Sequence, residues 1–134
     1  IEFLKQGERR LFILVICITI GFLFYPTYLP LVDLPQHAAQ GYRWMDFVKS
    51  IFGGDFTEVN WDTPYLTGYL SWLVIYQVFD IKTSAKVFIV FIFLLYCLSV
   101  HCLRRFFNAS FLVEWAAVTS FFGFAYQWGF VTFL

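Results

Sequence analysis

The sequence predicts an all-α, polytopic helical membrane protein, with about four transmembrane helices and one interfacial amphipathic helix in the first external loop. Three observations lead there. The 134 residues are 60% hydrophobic and 24% aromatic, with a mean hydropathy of +0.72. Charged residues make up 13% of the chain, against about 25% in an ordinary soluble domain. The apolar residues are gathered into runs long enough to cross a hydrocarbon core of about 30 Å at 1.5 Å per residue. Net charge is zero, which gives no basis for nucleic acid as a partner.

The first run, residues 11–29, follows Lys5, Arg9 and Arg10, a basic flank that places the N-terminus in the cytoplasm. No small-residue cleavage site follows it, so it reads as a resident span rather than a signal peptide. Pro26 and Pro30 stop it, because proline lacks an N–H and clashes with the preceding turn.

Residues 30–63 form a polar external loop carrying Asp33, Asp46, Asp55, Glu58 and Asp62 against only Arg43 and Lys49. Within it, residues 35–52 read as a helix. Pro35 suits a first turn, and Gly53-Gly54 suits a C-terminus. Trp44, Phe47, Val48 and Ile51 recur at helical spacing, as expected of a helix lying in the interface. Asp33 falls at the helix N-cap, where a carboxylate can accept backbone N–H groups.

Residues 61–79 are the second expected crossing. Trp61, Tyr65, Tyr69, Trp72, Tyr76 and Phe79 share one face, a stripe suited to helix packing or to stacking on a sugar or isoprenoid. Residues 80–86, with Lys82 and Lys86, read as a cytoplasmic turn. Residues 85–103 are the third crossing, residues 104–110 an external turn, and residues 111–134 the fourth crossing, with Gly123 and Gly129 as close-packing points. Cys17, Cys97 and Cys102 lie in apolar runs without metal-ligand spacing and read as small packing residues.

The residues able to carry chemistry are few. Asp33 and His37 lie four apart at a helix start, and the acid could serve as a general base. It could also hold a divalent cation with help from phosphate oxygens. Arg104 and Arg105 could meet a lipid phosphate; the plainer alternatives are headgroup snorkelling or pairing with Glu114. His101 reads as a packed or interfacial histidine.

Pro30-Leu-Val-Asp-Leu-Pro-Gln-His37, then Asn60-Trp-Asp-Thr-Pro-Tyr65, and the order of span, external loop with an early Asp and interfacial helix, resemble the start of the C-type (GT-C) polytopic glycosyltransferases and related uncharacterised bacterial membrane proteins. Gln127-Trp-Gly-Phe130 is similar to a Trp-Gly-Phe in those relatives. The resemblance implies a polyprenyl-phosphate sugar donor at the external face of a bacterial inner membrane. Asp33 would then be the base or orienting acid, and arginines would meet the donor phosphate. The sequence departs from the family's adjacent acid pair: Val32 and Leu34 flank Asp33, leaving Asp46 or Asp62 as the second acid only if the loop folds back. The resemblance covers the first few helices of a larger fold, and the sequence begins with Ile1 rather than methionine and ends at Leu134 inside an apolar run. The expectation is therefore a piece of a longer protein, inactive alone. Two other functions fit the same residues. One is a non-catalytic subunit or scaffold of a larger complex, with neighbouring membrane subunits as partners. The other is a pigment-bearing subunit with His37 or His101 as axial ligand.

Overall fold

The computed structural model describes residues 2–51 and 66–128, and these form an all-helical chain. The helices are α1 (Glu2–Phe24), α2 (Leu34–Ile51), α3 (Leu66–Tyr76), α4 (Ile81–Phe106), α5 (Leu112–Phe121) and α6 (Phe124–Trp128). Among the described residues only α4 is both long and apolar enough to cross a membrane. The other expected spans differ for identifiable reasons. In α1 the charges Glu8, Arg9 and Arg10 confine the apolar part to residues 11–24. The helix stops two residues before Pro26, and the expected span to residue 29 is not helical at its end. The second expected span is described from residue 66 on, and there α3 ends at Tyr76, three residues before the expected end. Trp61 and Tyr65 lie outside the described residues. The fourth expected span is broken at Phe122 and Gly123 into α5 and α6. A Cβ on Gly123 would meet the Ser120 carbonyl at 3.0 Å, so the break depends on glycine's missing side chain.

The third expected span begins four residues earlier than apolarity alone indicates. Asp80, in extended backbone, caps α4: its carboxylate accepts from Lys82 N at 2.9 Å, Thr83 N at 3.2 Å and Thr83 Oγ1 at 2.6 Å. These bonds favour the ionised acid and hold its pKa below the usual carboxylate value. At the other end Arg104 and Arg105 occupy the last helical turn, where cations complement the helix dipole. Asn108 turns the chain with φ at 51°, a conformation asparagine tolerates better than most residues.

Two apolar clusters hold the helices together. At one end, Leu23 of α1, Leu29 and Leu31 of the following loop, Leu34 of α2, Trp72 of α3 and Phe88 and Ile89 of α4 are buried together. Further along, Phe12 of α1, Phe93 of α4 and Val118 and Phe121 of α5 form the second. Trp72 stacks on Phe88 with ring centroids 5.5 Å apart, and its Nε1–H donates to Ser84 Oγ at 3.1 Å. The aromatic stripe on α3 thus serves packing at Tyr69 and Trp72, both buried.

The ends of the helices pair in a definite way. Lys86 Nζ donates to the Phe24 carbonyl at 3.1 Å and also to the Pro26 carbonyl. Those acceptors are the orphan groups of a helix C-terminus, and Pro26 stops the helix that would otherwise have satisfied them. The start of α4 therefore sits against the end of α1, and the two helices run antiparallel. Residues 80–86, expected on the side opposite residues 30–63, lie at the same end as residues 24–34.

Candidate functional site

Asp33 closes the loop that leads from α1 into α2. Its backbone N–H donates to the Trp128 carbonyl at 2.9 Å and its carbonyl accepts from His37 N at 3.1 Å. Val32 N adds a longer contact to the Gln127 carbonyl at 3.4 Å. The loop is thereby stitched to α6, and the backbone that carries the half-buried Asp33 side chain is held in position. Among the described residues no hydrogen bond to its carboxylate is found, so the expected side-chain cap is not made. The local reason is Pro35: it occupies a position whose N–H an N-cap carboxylate would bind, and proline has none.

His37 lies one turn into α2. Its Nδ1 is 2.7 Å from the Tyr69 hydroxyl, which also donates to Gln40 Oε1. The His37 ring, the Tyr69 hydroxyl and the Gln40 amide thus form one hydrogen-bonded group. Burial lowers the pKa of His37 below 6.5; the negative charge of Asp33 and the contact with Gln40 oppose this without reversing it. The folded state therefore prefers the neutral ring. Its stabilising contribution is complete above the unfolded pKa of about 6.5 and is lost as pH falls through the lower folded value. Thermal unfolding of the wild type should weaken below pH 6.5 more steeply than that of His37→Gln, measured side by side; parallel curves would sink the claim.

Next to Asp33, its neighbours Leu34 and Pro35 help to line an open groove of about 500 Å³ between the end of α1, α2 and the start of α4. The lining is apolar apart from a few groups, including Arg43, Lys82 and Lys86. Arg43 and Lys82 are exposed. The Lys82 ammonium stands 4.6 Å over the Tyr28 ring, and Lys86 is committed to the carbonyls at the end of α1.

Arg104 and Arg105 are not brought to this site. Arg104 lies eighteen positions after Lys86 on one continuous helix, about 27 Å away along the axis. Arg104 is bonded through Nε to Glu114, which also takes His101 Nδ1 at 2.9 Å. Glu114 is only 3% exposed, so its charge is balanced at a buried position between α4 and α5. Arg105 is exposed. His101 is thus an acid's partner. Cys17, Cys97 and Cys102 are free thiols. Among the described residues no three His, Cys, Asp or Glu side chains group to hold a metal ion. The Asp46 side chain, Asp55, Glu58 and Asp62, the acids that could have joined Asp33, lie outside the described residues, as do the side chains of Trp44, Phe47, Val48 and Ile51 and the Gly53-Gly54 pair.

Sequence reasoning missed the cationic rim and the Tyr69–Gln40 pair. Gln40 follows His37 by three residues, a spacing that puts both on one helix face, and this was the available signal. Tyr69 is distant in sequence and gave none. The sequence matches no family model, and neither a curated protein nor a solved structure matches it.

Proposed function

We propose that the chain belongs to a membrane glycosyltransferase of the C-type kind, with a lipid-phosphate-linked sugar donor held at the end of the bundle that carries Asp33. The observation behind this reading is the pairing of an apolar groove and cations with an acid whose backbone is held in place and whose carboxylate makes no cap. An isoprenoid chain suits the apolar lining, and Arg43 and Lys82 suit a phosphate at its rim. Asp33, beside Leu34 and Pro35 of that rim, takes the acceptor's proton. The cations that serve the donor phosphate are these, and Arg104 and Arg105 at the far end of α4 have no part in it.

Binding of farnesyl phosphate, with farnesol as its uncharged counterpart, tests the reading. The phosphate should bind more tightly than the alcohol. Arg43→Gln combined with Lys82→Gln should weaken it at least about ten-fold, since a hydrogen bond to a charged group contributes about 1.5 kcal/mol or more and 1.4 kcal/mol is about ten-fold. Arg105→Gln should change nothing. Equal binding of alcohol and phosphate, or an unaffected double variant, would remove the groove from the proposal.

A further inference from the structure

The path of the chain between the two ends of the bundle can be followed contact by contact. The loop after α1 and the start of α4 share one end, where Lys86 holds the Phe24 carbonyl and Lys82 covers Tyr28. The other end joins α4 to α5 through the bonds of His101 and Arg104 to Glu114. Phe12 packs edge-on against Phe111 and Trp115 at 5.3 and 5.1 Å. It precedes Phe24 by twelve residues of α1, about 18 Å along the axis. The chain then climbs back through α5 and α6 until the Trp128 carbonyl meets Asp33 N–H. The order is up α1, down α4, up α5 and α6.

The behaviour of α3 decides the rest. Its Trp72 is bonded to Ser84 in the first turn of α4, and only residues 77–80 separate the two helices. It therefore finishes at the end where α2 began. Whatever path links α2 to α3, residues 34–76 leave one end of the bundle and return to it, so they make no net crossing.

We infer that the bilayer is crossed three times: by α4, which is long and apolar enough to span it alone, and by α1 and by α5 with α6, whose shorter apolar parts pack along α4, while α2 and α3 belong to one face. On this arrangement Thr27 and Gln77 lie on the same side of the membrane, and Glu8 and Ser110 on the other. The partner is the bilayer itself. Leu14, Ile18 and Phe22 of α1 and Leu94, Leu95 and Leu98 of α4 are all large, apolar and exposed, a belt suited to acyl chains. Residues 87–103 of α4 contain no Asp, Glu, Lys or Arg; they span about 26 Å, close to the hydrocarbon thickness. Lys82 and Lys86 precede them and Arg104 and Arg105 follow, as expected of cations at the two interfaces. Arg104 and Arg105 then join Arg9 and Arg10 on one face, which is the cytoplasmic pattern. The inference is independent of any transferase activity.

Single cysteines at Glu8, Thr27, Gln77 and Ser110, in protein whose Cys17, Cys97 and Cys102 are replaced by alanine, test it in sealed membranes. An impermeant maleimide should label positions 27 and 77 from one side, and positions 8 and 110 only from the other. Labelling of 77 together with 8, and of 27 together with 110, is the pattern of four alternating spans and would overturn the inference. Labelling of all four from one side would overturn the crossings themselves. A second measurement covers misfolding of the cysteine-free protein. With the native cysteines kept, Tyr28→Cys combined with Lys82→Cys should be bridged by a short bismaleimide while each single variant is not; no bridge in the pair would count against the shared face.

Discussion

Replacing Asp33 with asparagine is expected to leave the fold intact and, on the transferase reading proposed above, to lower sugar transfer by about a hundred-fold or more. The structural half of this expectation rests on the backbone. The bonds that position residue 33 run from its N–H to Trp128 and from His37 to its carbonyl, and both survive the substitution. Asparagine also matches the size of aspartate and is an equally good cap, so any capping loss is a few tenths of a kcal/mol at most. The chemical half rests on the lost base, since general base catalysis contributes about 10²–10⁴ in rate. Steady-state transfer from a prenyl-phosphate sugar, measured on the full protein with its Tm, separates the two. A normal Tm with near-normal transfer would leave Asp33 as a fixed loop residue outside the mechanism. His37→Ala should cost less rate. The His37 ring is tied to Tyr69 through Nδ1 and meets the Asp33 carboxylate only through its field, the one bond between the two residues running from backbone to backbone.

The helices themselves could be read from the sequence where local chemistry decides them. Pro26 ends α1, and the apolar run ahead of Arg104 makes α4. The extension of α4 back to Ile81 was also written locally, in an Asp80 followed three residues later by Thr83, but its cap signal was masked by the charge of Lys82, which reads as a turn. What could not be read is where α3 and α4 begin and end in space. An apolar stretch such as residues 66–76 has the same composition whether it crosses a bilayer or packs beside one end of a bundle. The Trp72–Ser84 bond and the reach of Lys86 to Phe24 separate the two cases, and both are tertiary. The charge rule has the same limit. It treats Lys86 as a flank of the nearest span, whereas its ammonium is occupied in satisfying the end of another helix. Asp33 and His37 were legible as a pair because they share a helical turn. The groove beside them was not, because its cations come from α2 and α4 and meet only in the folded chain.

The second large effect is expected at the far end of the bundle, where Arg104→Ala should destabilise the fold by about 3 kcal/mol. The partner left behind is Glu114, 3% exposed, with only His101 beside it. Breaking a buried pair from one side typically costs about 3–5 kcal/mol, because the remaining charge is neither hydrated nor paired. The low end applies here, since the Arg104 side chain keeps 20% exposure and solvent already screens part of the interaction. The opposite deletion should be milder. In Glu114→Gln, Arg104 sits in the last turn of α4 and can extend its long side chain to water or headgroups, so a loss of about 1 kcal/mol is expected, that of an ordinary hydrogen bond. Arg104→Ala with Glu114→Leu should recover most of the loss, because apolar replacement of a buried pair is often neutral. Unfolding of the four proteins in one neutral detergent measures these differences, and repeating it with anionic lipid separates this role from phosphate binding. If Arg104 held a lipid phosphate, its loss would matter only when that lipid is present. The geometry predicts the same asymmetry in both, and an Arg104→Ala protein as stable as the wild type in neutral detergent would show that Glu114 does not depend on it.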